Sequence, residues 1–469
     1  MRRSGVTRFG KARPENKPVT PGQKIELSIS SIAAEGDGVG RYRDFAVFVP
    51  FAVPGDEVRV RVTEVRKTFA RGEIVDYLAP SPWRADPCCP VFSRCGGCQW
   101  QHIDYPRQLE LKAGLVREAL RRIGHLEEVP VKDTLPSPQP WFYRHKAMFP
   151  LARRDGRVVA GCYARRTHRV VEAGECAIQH PVNNRIIAEV VRLAGEYGLS
   201  IYDERTGRGL LRHVLARVAA RTNQALAVLV TGEPRFPRGR QMAEDLMRRV
   251  PAVVSVAQNI NPRQTNIVLG EKTRILAGRE TITDYLGNLR FEISARSFFQ
   301  INPAQAEVLY QLAADYARLS GRETVIDAYC GTGTISLFLA RRARRVYGVE
   351  SVPEAVADAR KNARLNGIGN AEFLVGEAEK MIPGLRAQGV RAQVIVLDPP
   401  RKGCEERVLA TFVQMSPARI VYLSCYPPTL ARDLAYLAAR GYRPLEVQPV
   451  DMFPHTAHVE CVTLLERFS

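Results

Sequence analysis

Two residues near the C-terminus are candidates for nucleophilic and acid–base chemistry. Cys425 follows the apolar segment IVYLS (420–424) and precedes YPP, so a buried strand ends and a helix begins around this thiol. Strand ends in α/β sheets are where substrates bind, although many cysteines are inert core residues. Glu460 flanks a late apolar strand in HTAHVECVTLLERF (455–468). This carboxylate is either a base for the same reaction or a solvated residue at a sheet edge.

A thiol and a carboxylate together suit the methylation of a pyrimidine at C5. Uracil C5 is a poor nucleophile, but attack of a thiolate at C6 makes C5 enolate-like, so that it can accept a methyl group from a sulfonium. A base must then remove the C5 proton before the thiolate leaves. Glu460 is the first candidate for that base, followed by His455 and His458. Cytosine chemistry shares the attack at C6, so the thiol alone does not identify the nucleobase.

The segment VIDAYCGTGTISLFLA (325–340) is predicted to be a strand, a glycine-rich turn and a helix. Gly331 and Gly333 allow a ligand to approach the backbone at the helix start. Glu350 ends the next predicted strand, where a carboxylate can bind a ribose diol, and Asp398 ends a later strand before two prolines. The loop lacks the P-loop lysine and does not read GxGxxG. This order of motifs favours S-adenosylmethionine as the cofactor.

Three of the ten cysteines lie close together in CPVFSRCGGC (89–98). Cys89, Cys95 and Cys98 are separated by five and by two residues, and Cys176 in EAGECAIQHP is available as a fourth thiol. Four thiolates suit an iron–sulfur cluster or a structural zinc ion, and the spacing does not choose between them. Unligated thiols are the alternative, and Cys88 complicates the choice of ligands because it precedes Cys89.

The elements around these motifs predict several domains in the 469 residues. Residues 18–80 alternate apolar and polar positions, as in a small OB-like β-barrel. Residues 81–290 mix strands and helices in a central α+β domain that contains the cysteine-rich loop. Residues 291–469 alternate short apolar strands with helices, which predicts a doubly wound, Rossmann-like α/β domain. We expect residues 108–124 to form an amphipathic helix whose apolar face holds Leu111, Leu115, Ala119 and Ile123.

The charge of the chain predicts a polyanionic partner. The formal net charge is +19, and an excess of this size favours nucleic acid. Basic residues concentrate in a tail, residues 1–17, and in residues 141–170. The second stretch contains eight Arg and Lys and a single acid, Asp155. No apolar run has the length of a membrane span, and the N-terminus lacks the apolar stretch of a signal peptide. We therefore expect a cytoplasmic protein without membrane contact. We also expect a monomer.

Six motifs together resemble the RNA uracil-C5 methyltransferases that act on bacterial 23S rRNA and tRNA. They are SFFQIN (297–302), DAYCGTGT (327–334), GVE (348–350), LDPPRKG (397–403), LSCYPPTLARD (423–433) and HVE (458–460). In addition, GQKIELSISSIAAEGDGVGR (22–41) resembles a TRAM domain, an OB-like barrel found in RNA-modifying enzymes. The resemblance covers nearly the whole chain.

The resemblance assigns roles to individual residues. It implies that Cys425 is the nucleophile and Glu460 the base. It implies that S-adenosylmethionine is held by Gln300, Tyr329, Glu350 and Asp398, with Thr334 and Glu377 near it. It implies a [4Fe–4S] cluster on Cys89, Cys95, Cys98 and Cys176. One departure is Tyr426, because the family usually has Asn after the nucleophile.

The RNA target is open at this stage. The central domain and the cysteine cluster favour 23S rRNA, and tRNA is the first alternative. An RNA cytosine-C5 methyltransferase would share the attack at C6, although the cysteine-rich loop and the HVE ending favour uracil. A non-catalytic iron–sulfur protein that binds RNA is a further alternative, and the presence of both Cys425 and Glu460 argues against it.

Overall fold

The computed structural model describes residues 17–468, so the predicted basic tail lies almost entirely outside the described residues. The chain divides into two compact units between Arg84 and Ala85. None of the helices in this described range is long and apolar enough to cross a membrane.

The secondary structure consists mainly of the following strands and helices. The strands are β1 (Lys24–Ile32), β2 (Gly38–Tyr42), β3 (Phe45–Val49), β4 (Glu57–Val65), β5 (Phe69–Ala79), β6 (Lys146–Arg154), β7 (Arg157–Tyr163), β8 (Val170–Glu172), β9 (Leu211–Val218), β10 (Ala225–Thr231), β11 (Val253–Ile260), β12 (Lys272–Gly278), β13 (Ile282–Leu286), β14 (Leu289–Ile293), β15 (Thr324–Ala328), β16 (Arg345–Glu350), β17 (Ala371–Val375), β18 (Val394–Leu397), β19 (Arg419–Ser424), β20 (Tyr442–Val450) and β21 (Glu460–Arg467). The helices are α1 (Tyr105–Ala119), α2 (Pro181–Glu196), α3 (Gly239–Arg249), α4 (Pro303–Ala317), α5 (Thr334–Ala340), α6 (Pro353–Leu365), α7 (Ala378–Ala387), α8 (Glu406–Met415) and α9 (Pro427–Ala438).

The first unit contains a closed five-stranded barrel, which confirms the predicted OB-like domain. The strand order is β1-β2-β3-β5-β4. Alternation explains the barrel: Ile25, Leu27 and Ile29 of β1 are buried in its core, and the residues between them are exposed. Strands that are apolar on one face can bury that face inside a barrel, and closure of the barrel leaves no strand edge unpaired.

The second unit begins with a seven-stranded sheet in the order β12-β11-β10-β9-β6-β7-β8. Its central strands β9 and β10 are buried along their whole length. Helices α2 and α3 cover one face, and their apolar residues share a core with those strands. The opposite face packs against the β13–β14 hairpin and α4. The domain boundary expected between residues 290 and 291 would cut β14, which belongs to this shared core.

The C-terminal sheet is doubly wound, which confirms the predicted Rossmann-like α/β fold. Its order is β17-β16-β15-β18-β19-β21-β20, and β21 runs antiparallel to the other six strands. Apolar residues of α4, α5 and α6 form the core on one face, and those of α7, α8 and α9 form the core on the other. The strand order reverses at β15, which is where open α/β sheets bind ligands.

The predicted amphipathic helix exists, but its buried face differs from the expected one. Helix α1 ends at Ala119 and continues as a π-helical turn, Leu120–Gly124. The buried side chains are those of Gln108, Lys112, Ala113, Val116, Ala119 and Leu120, whereas Ile123 is exposed. The spacing of apolar residues did not identify the buried face, because a lysine is normally expected on the exposed side. Here Lys112 is fully buried as the ion-pair partner of Asp451. Two polar residues therefore lie on the face that docks α1 near α9 and β20.

Candidate active site

The candidate catalytic residues meet at one edge of the C-terminal sheet because of the direction of its strands. Asp398 directly follows β18, and Cys425 directly follows the parallel strand β19. Strand β21 is antiparallel and begins at Glu460, so its first residue lies at the same edge. In that pairing Ser424 is opposite Cys461, and the next residues along the two strands are Cys425 and Glu460. We refer to Asp398, Cys425 and Glu460 as the acid–thiol cluster.

Burial and mutual repulsion raise the pKa values of the acid–thiol cluster. Burial, and then the nearby carboxylates Glu460 and Asp398, raises the pKa of Cys425 to about 12. Burial and the charge of Asp398 raise the pKa of Glu460 to about 8, and burial raises that of Asp398 to about 6. Arg401 acts in the opposite direction on both Cys425 and Glu460. Added positive charge at this edge would therefore favour the thiolate and the carboxylate.

Hydrogen bonds from α9 hold the loop that carries Arg401. Thr429 donates from Oγ1 to the Arg401 carbonyl (3.1 Å), and Arg432 donates from Nη2 to the Lys402 and Cys404 carbonyls (3.0 Å each). The buried carboxylate of Asp433 accepts the Cys404 N–H at 2.8 Å. The TLARD segment thus fixes the DPPRKG loop after β18. The Arg401 guanidinium also lies 3.3 Å from His458 Nε2.

Glu350 and Tyr329 border a cavity of about 150 Å³ at the strand-order reversal, here named the cofactor cavity. The Gly331 N–H donates to Glu350 Oε2 (3.2 Å), and the Val352 N–H donates to Glu350 Oε1 (2.9 Å), which fixes the carboxylate. Tyr329 has a φ of 66°. Gly333 is required because a Cβ there would lie 3.0 Å from atoms of Ala359 and Phe373.

Glu377, Gln300 and Thr334 differ in their surroundings. Glu377 lines the cofactor cavity but is exposed and ion-paired with Lys380 at 2.5 Å. Gln300 and Thr334 meet instead at the fully buried Tyr310. The Thr334 hydroxyl lies 3.4 Å from Tyr310 Oη, and Gln300 lies near the same phenol. Tyr310 also interacts electrostatically with Asp398 and Glu460, so it connects the two groups of residues.

The two histidines considered as alternative bases have different surroundings. His455 is buried, stacks on Trp141 with ring centroids 3.6 Å apart, and contacts Gln108 Nε2 through Nδ1 (3.2 Å). Burial lowers the pKa of His455 to about 4, and burial together with Arg401 does the same for His458. His458 is the histidine that contacts Arg401, so it is the closer alternative to Glu460.

A second cavity, of about 450 Å³, is lined by all four predicted cluster ligands and is named here the cysteine cavity. Cys89, Cys95 and Cys98 reach it from the cysteine-rich loop, Cys176 from beyond β8, and Cys162 from β7. Its cationic lining consists of Arg144, Lys146 and Arg401, with His458 nearby, and no carboxylate is among the lining residues that the structure describes. Burial and the neighbouring arginines Arg217 and Arg144 lower the pKa of Lys146 to about 7.

Comparison with known proteins identifies the family. A family model described as tRNA (Uracil-5-)-methyltransferase matches residues 253–468, and a TRAM model matches residues 18–75. An uncharacterized RNA methyltransferase of Halalkalibacterium halodurans is 48% identical over 96% of this chain and 99% of its own length. One from Clostridium acetobutylicum is 44% identical over 96% of this chain and 98% of its own. The chain belongs to the RNA uracil-C5 methyltransferase family.

A solved structure supports the same assignment. The tRNA (uracil-54, C5)-methyltransferase of Pyrococcus abyssi, in complex with S-adenosyl-L-homocysteine, has a TM-score of 0.75 and 28% identity to this chain. The similarity covers 94% of this chain and 99% of that one. This methyltransferase is therefore an S-adenosylmethionine-dependent enzyme that modifies RNA.

Sequence reasoning did not single out three residues that the structure places near the candidate sites. Arg401 was visible in DPPRKG, but a single arginine after two prolines carries no separate signal. Tyr310 lies within α4 and becomes part of the site only through tertiary packing. Cys162 is remote in sequence from the cysteine-rich loop, and only the pairing of β7 with β8 brings it to the cysteine cavity.

The cysteine cavity does not have the geometry of a single-ion site. Within residues 17–468, no group of three or more His, Cys, Asp or Glu side chains is placed to hold one metal ion. The four predicted ligands nevertheless line one cavity whose walls are cationic. That donor set fits an anionic group larger than one ion, because a cluster separates its thiolates more than zinc does.

Proposed function

We propose that this chain methylates C5 of a uridine in 23S rRNA through a transient bond between Cys425 and C6, with Glu460 as the base. The observation that carries the proposal is the acid–thiol cluster, in which a nucleophile and a carboxylate occupy adjacent strand ends. Gln300, Tyr329, Thr334, Glu350, Glu377 and Asp398 are proposed to hold S-adenosylmethionine. We further propose that the enzyme is a cytoplasmic monomer.

The proposed reaction balances at each step. Cys425 and Glu460 first release their protons to solvent. The Cys425 thiolate then attacks C6, and the C5=C6 electron pair moves into an enolate. C5 then takes the methyl group of the sulfonium, which leaves as S-adenosylhomocysteine. Glu460 accepts the C5 proton, the C5=C6 bond re-forms, and the C6–S bond breaks to release Cys425.

The raised pKa values explain why the site needs positive charge before it reacts. As placed, Cys425 and Glu460 both hold their protons near neutral pH, because their pKa values are about 12 and about 8. A sulfonium bound beside Asp398 would supply one positive charge, and Arg401 supplies another. Both charges lower the pKa of a neighbouring acid. Cys425 would therefore become a nucleophile mainly when the cofactor is in place, which limits reaction of the free thiol with other electrophiles.

Transfer RNA is the second candidate substrate. The matching family model and the Pyrococcus abyssi enzyme both carry tRNA in their descriptions. The argument for 23S rRNA is the cysteine-rich loop together with the large central sheet. Either target uridine must be unpaired or flipped out, because stacking covers its C6 face.

The two targets and the two nucleobases are separated by one assay. Purified enzyme is incubated with labelled S-adenosylmethionine and with unmodified 23S rRNA or tRNA transcripts, and the product nucleosides are identified by mass spectrometry. We expect 5-methyluridine in 23S rRNA from the wild type and no product from Cys425→Ala. Product in tRNA alone would mean that tRNA, not 23S rRNA, is the substrate. Detection of 5-methylcytidine would mean that the target base is cytosine. No product in any RNA would contradict methyl transfer.

We also propose that Cys89, Cys95, Cys98 and Cys176 hold a [4Fe–4S] cluster. A cluster bound by four thiolates is an anion, and the cationic lining of the cysteine cavity suits it. Methyl transfer requires no electron, so we assign the cluster a structural role: thiolate ligation joins the cysteine-rich loop to the β7–β8 region.

A further inference from the structure

The cysteine cavity contains one thiol more than a four-thiolate cluster uses. Cys162 lines it together with the four proposed ligands. We infer that Cys95 and Cys162 share one ligand position, so that either sulfur can hold the same iron atom. This inference rests on the proposed cluster and adds a residue that neither the spacing nor the resemblance assigns.

The geometry around Gly97 shows that the two sulfurs are neighbours. A Cβ built on Gly97 would lie 3.4 Å from Cys95 Sγ and 3.8 Å from Cys162 Sγ. The two thiols therefore approach the same point, one from the cysteine-rich loop and the other from β7.

Backbone contacts fix this arrangement. The Gly96 N–H donates to the Tyr163 carbonyl at 2.9 Å, and a Cβ on Gly96 would lie only 2.8 Å from that oxygen. The loop between Cys95 and Cys98 is therefore held against the end of β7, directly beside Cys162. On the other side, Cys162 is opposite Val171 in the β7–β8 ladder, so its position is set by strand pairing.

An exchange of ligands at this position is chemically balanced without an oxidant. The iron–sulfur bond to Cys95 breaks as a bond to Cys162 forms. The proton of the Cys162 thiol moves to the released Cys95 sulfur, because both sulfurs lie beside the same glycine, Gly97. Iron keeps its oxidation state, and the number of thiolate ligands stays at four.

Alanine variants of individual cysteines test the shared position. Wild type, Cys95→Ala, Cys162→Ala, the double variant Cys95→Ala/Cys162→Ala, and Cys98→Ala are purified anaerobically. Iron, acid-labile sulfide and visible absorbance are measured on the full chain. We expect about four iron atoms per chain in the wild type, near-complete retention in Cys95→Ala and Cys162→Ala, and loss in the double variant and in Cys98→Ala.

The matched control is Cys88→Ala/Cys95→Ala, since Cys88 is an exposed cysteine next to the same loop. It should retain iron like Cys95→Ala alone. Loss of iron in either single variant to the level of Cys98→Ala would overturn the shared position, and so would retention in the double variant. Circular dichroism shows whether the double variant folds. If it does not fold, the iron content of the two single variants still decides whether the ligand position is shared. Wild-type protein without iron would overturn the cluster as well, whereas methyl transfer by Cys425 is measured separately.

Discussion

At the scale of single residues, the proposed nucleophile Cys425 and the proposed base Glu460 both have raised pKa values. Three acidic groups share one sheet edge, and Arg401 is the arginine that opposes their charge at both Cys425 and Glu460. Water screens the charge of an exposed guanidinium. The shift that Arg401 causes in the pKa of a neighbouring acid is therefore at the lower end of the range for charge pairs.

Replacement of Arg401 should make Cys425 less reactive. In Arg401→Gln the pKa of Cys425 rises further, so the thiolate fraction at a fixed pH falls, by about tenfold for each unit of pKa. The measurement is the rate of iodoacetamide alkylation of the Cys425 peptide, followed by mass spectrometry across a pH series. Arg401→Lys keeps the charge and serves as the control. An equal alkylation rate in Arg401→Gln and wild type would show that this arginine does not act on the thiol.

At the scale of elements, the docking of α1 depends on a fully buried ion pair. Lys112 of α1 pairs with Asp451, and its ammonium also donates to the Phe453 carbonyl at 3.0 Å. Tyr105 donates to Asp451 Oδ2 at 2.8 Å. These contacts hold the segment between β20 and β21, which leads to His458 and Glu460. Desolvation strongly penalises a buried charge that loses its partner.

Breaking this pair should destabilise the second unit. Lys112→Met leaves Asp451 buried without its cation, and we expect a loss of about 3–5 kcal/mol in the free energy of unfolding. Lys112→Met/Asp451→Asn should lose less than the single variant, since no unpaired charge remains. Urea unfolding followed by circular dichroism measures both. A double variant less stable than Lys112→Met would mean that the ion pair is not the source of the loss.

The sequence predicted the elements better than it predicted their buried faces. Period-two alternation predicted the barrel, and short apolar strands between helices predicted the doubly wound sheet. Both patterns can be recognised within a few consecutive residues, because each depends on which side chains of one element are buried. The face of α1 was wrong at Ile123, since a buried Lys112 depends on Asp451, which is 339 residues away. The motifs located Cys425, Glu460, Glu350 and Asp398 at strand ends for the same local reason. Tyr310 and Cys162 depend on packing between elements, and no local pattern reveals such contacts.

At the scale of the whole molecule, the net charge of +19 is only partly available to RNA. Within the basic stretch 141–170, Arg144 and Lys146 line the cysteine cavity, and Arg157 is ion-paired with Glu172 at 3.2 Å. Arg153, Arg154 and Arg157 are exposed around the β6–β7 turn. This turn is therefore one exposed part of the stretch that could contact phosphates, and Arg166 and Arg169 form another.

Neutralising that turn should weaken RNA binding in a salt-dependent way. The variant Arg153→Gln/Arg154→Gln/Arg157→Gln should flatten the slope of log K against log salt by about one for each phosphate contact that is lost. The control neutralises three exposed, ion-paired arginines of α2 and α3, namely Arg192, Arg240 and Arg248. Filter binding over a salt series compares the two. Equal slopes in the two variants would place the RNA on another surface.

The most direct test of the whole account is the fate of the covalent intermediate in Glu460→Gln. Attack by Cys425 and methyl transfer remain possible in this variant, but the C5 proton cannot leave. We therefore predict that an enzyme–RNA adduct accumulates, seen on a denaturing gel as an RNA-linked band that requires both Cys425 and S-adenosylmethionine. Normal turnover in Glu460→Gln would assign the base to another group, with His458 next. No adduct in Glu460→Gln, and none between wild-type enzyme and 5-fluorouridine RNA, would contradict the role of Cys425 as the nucleophile.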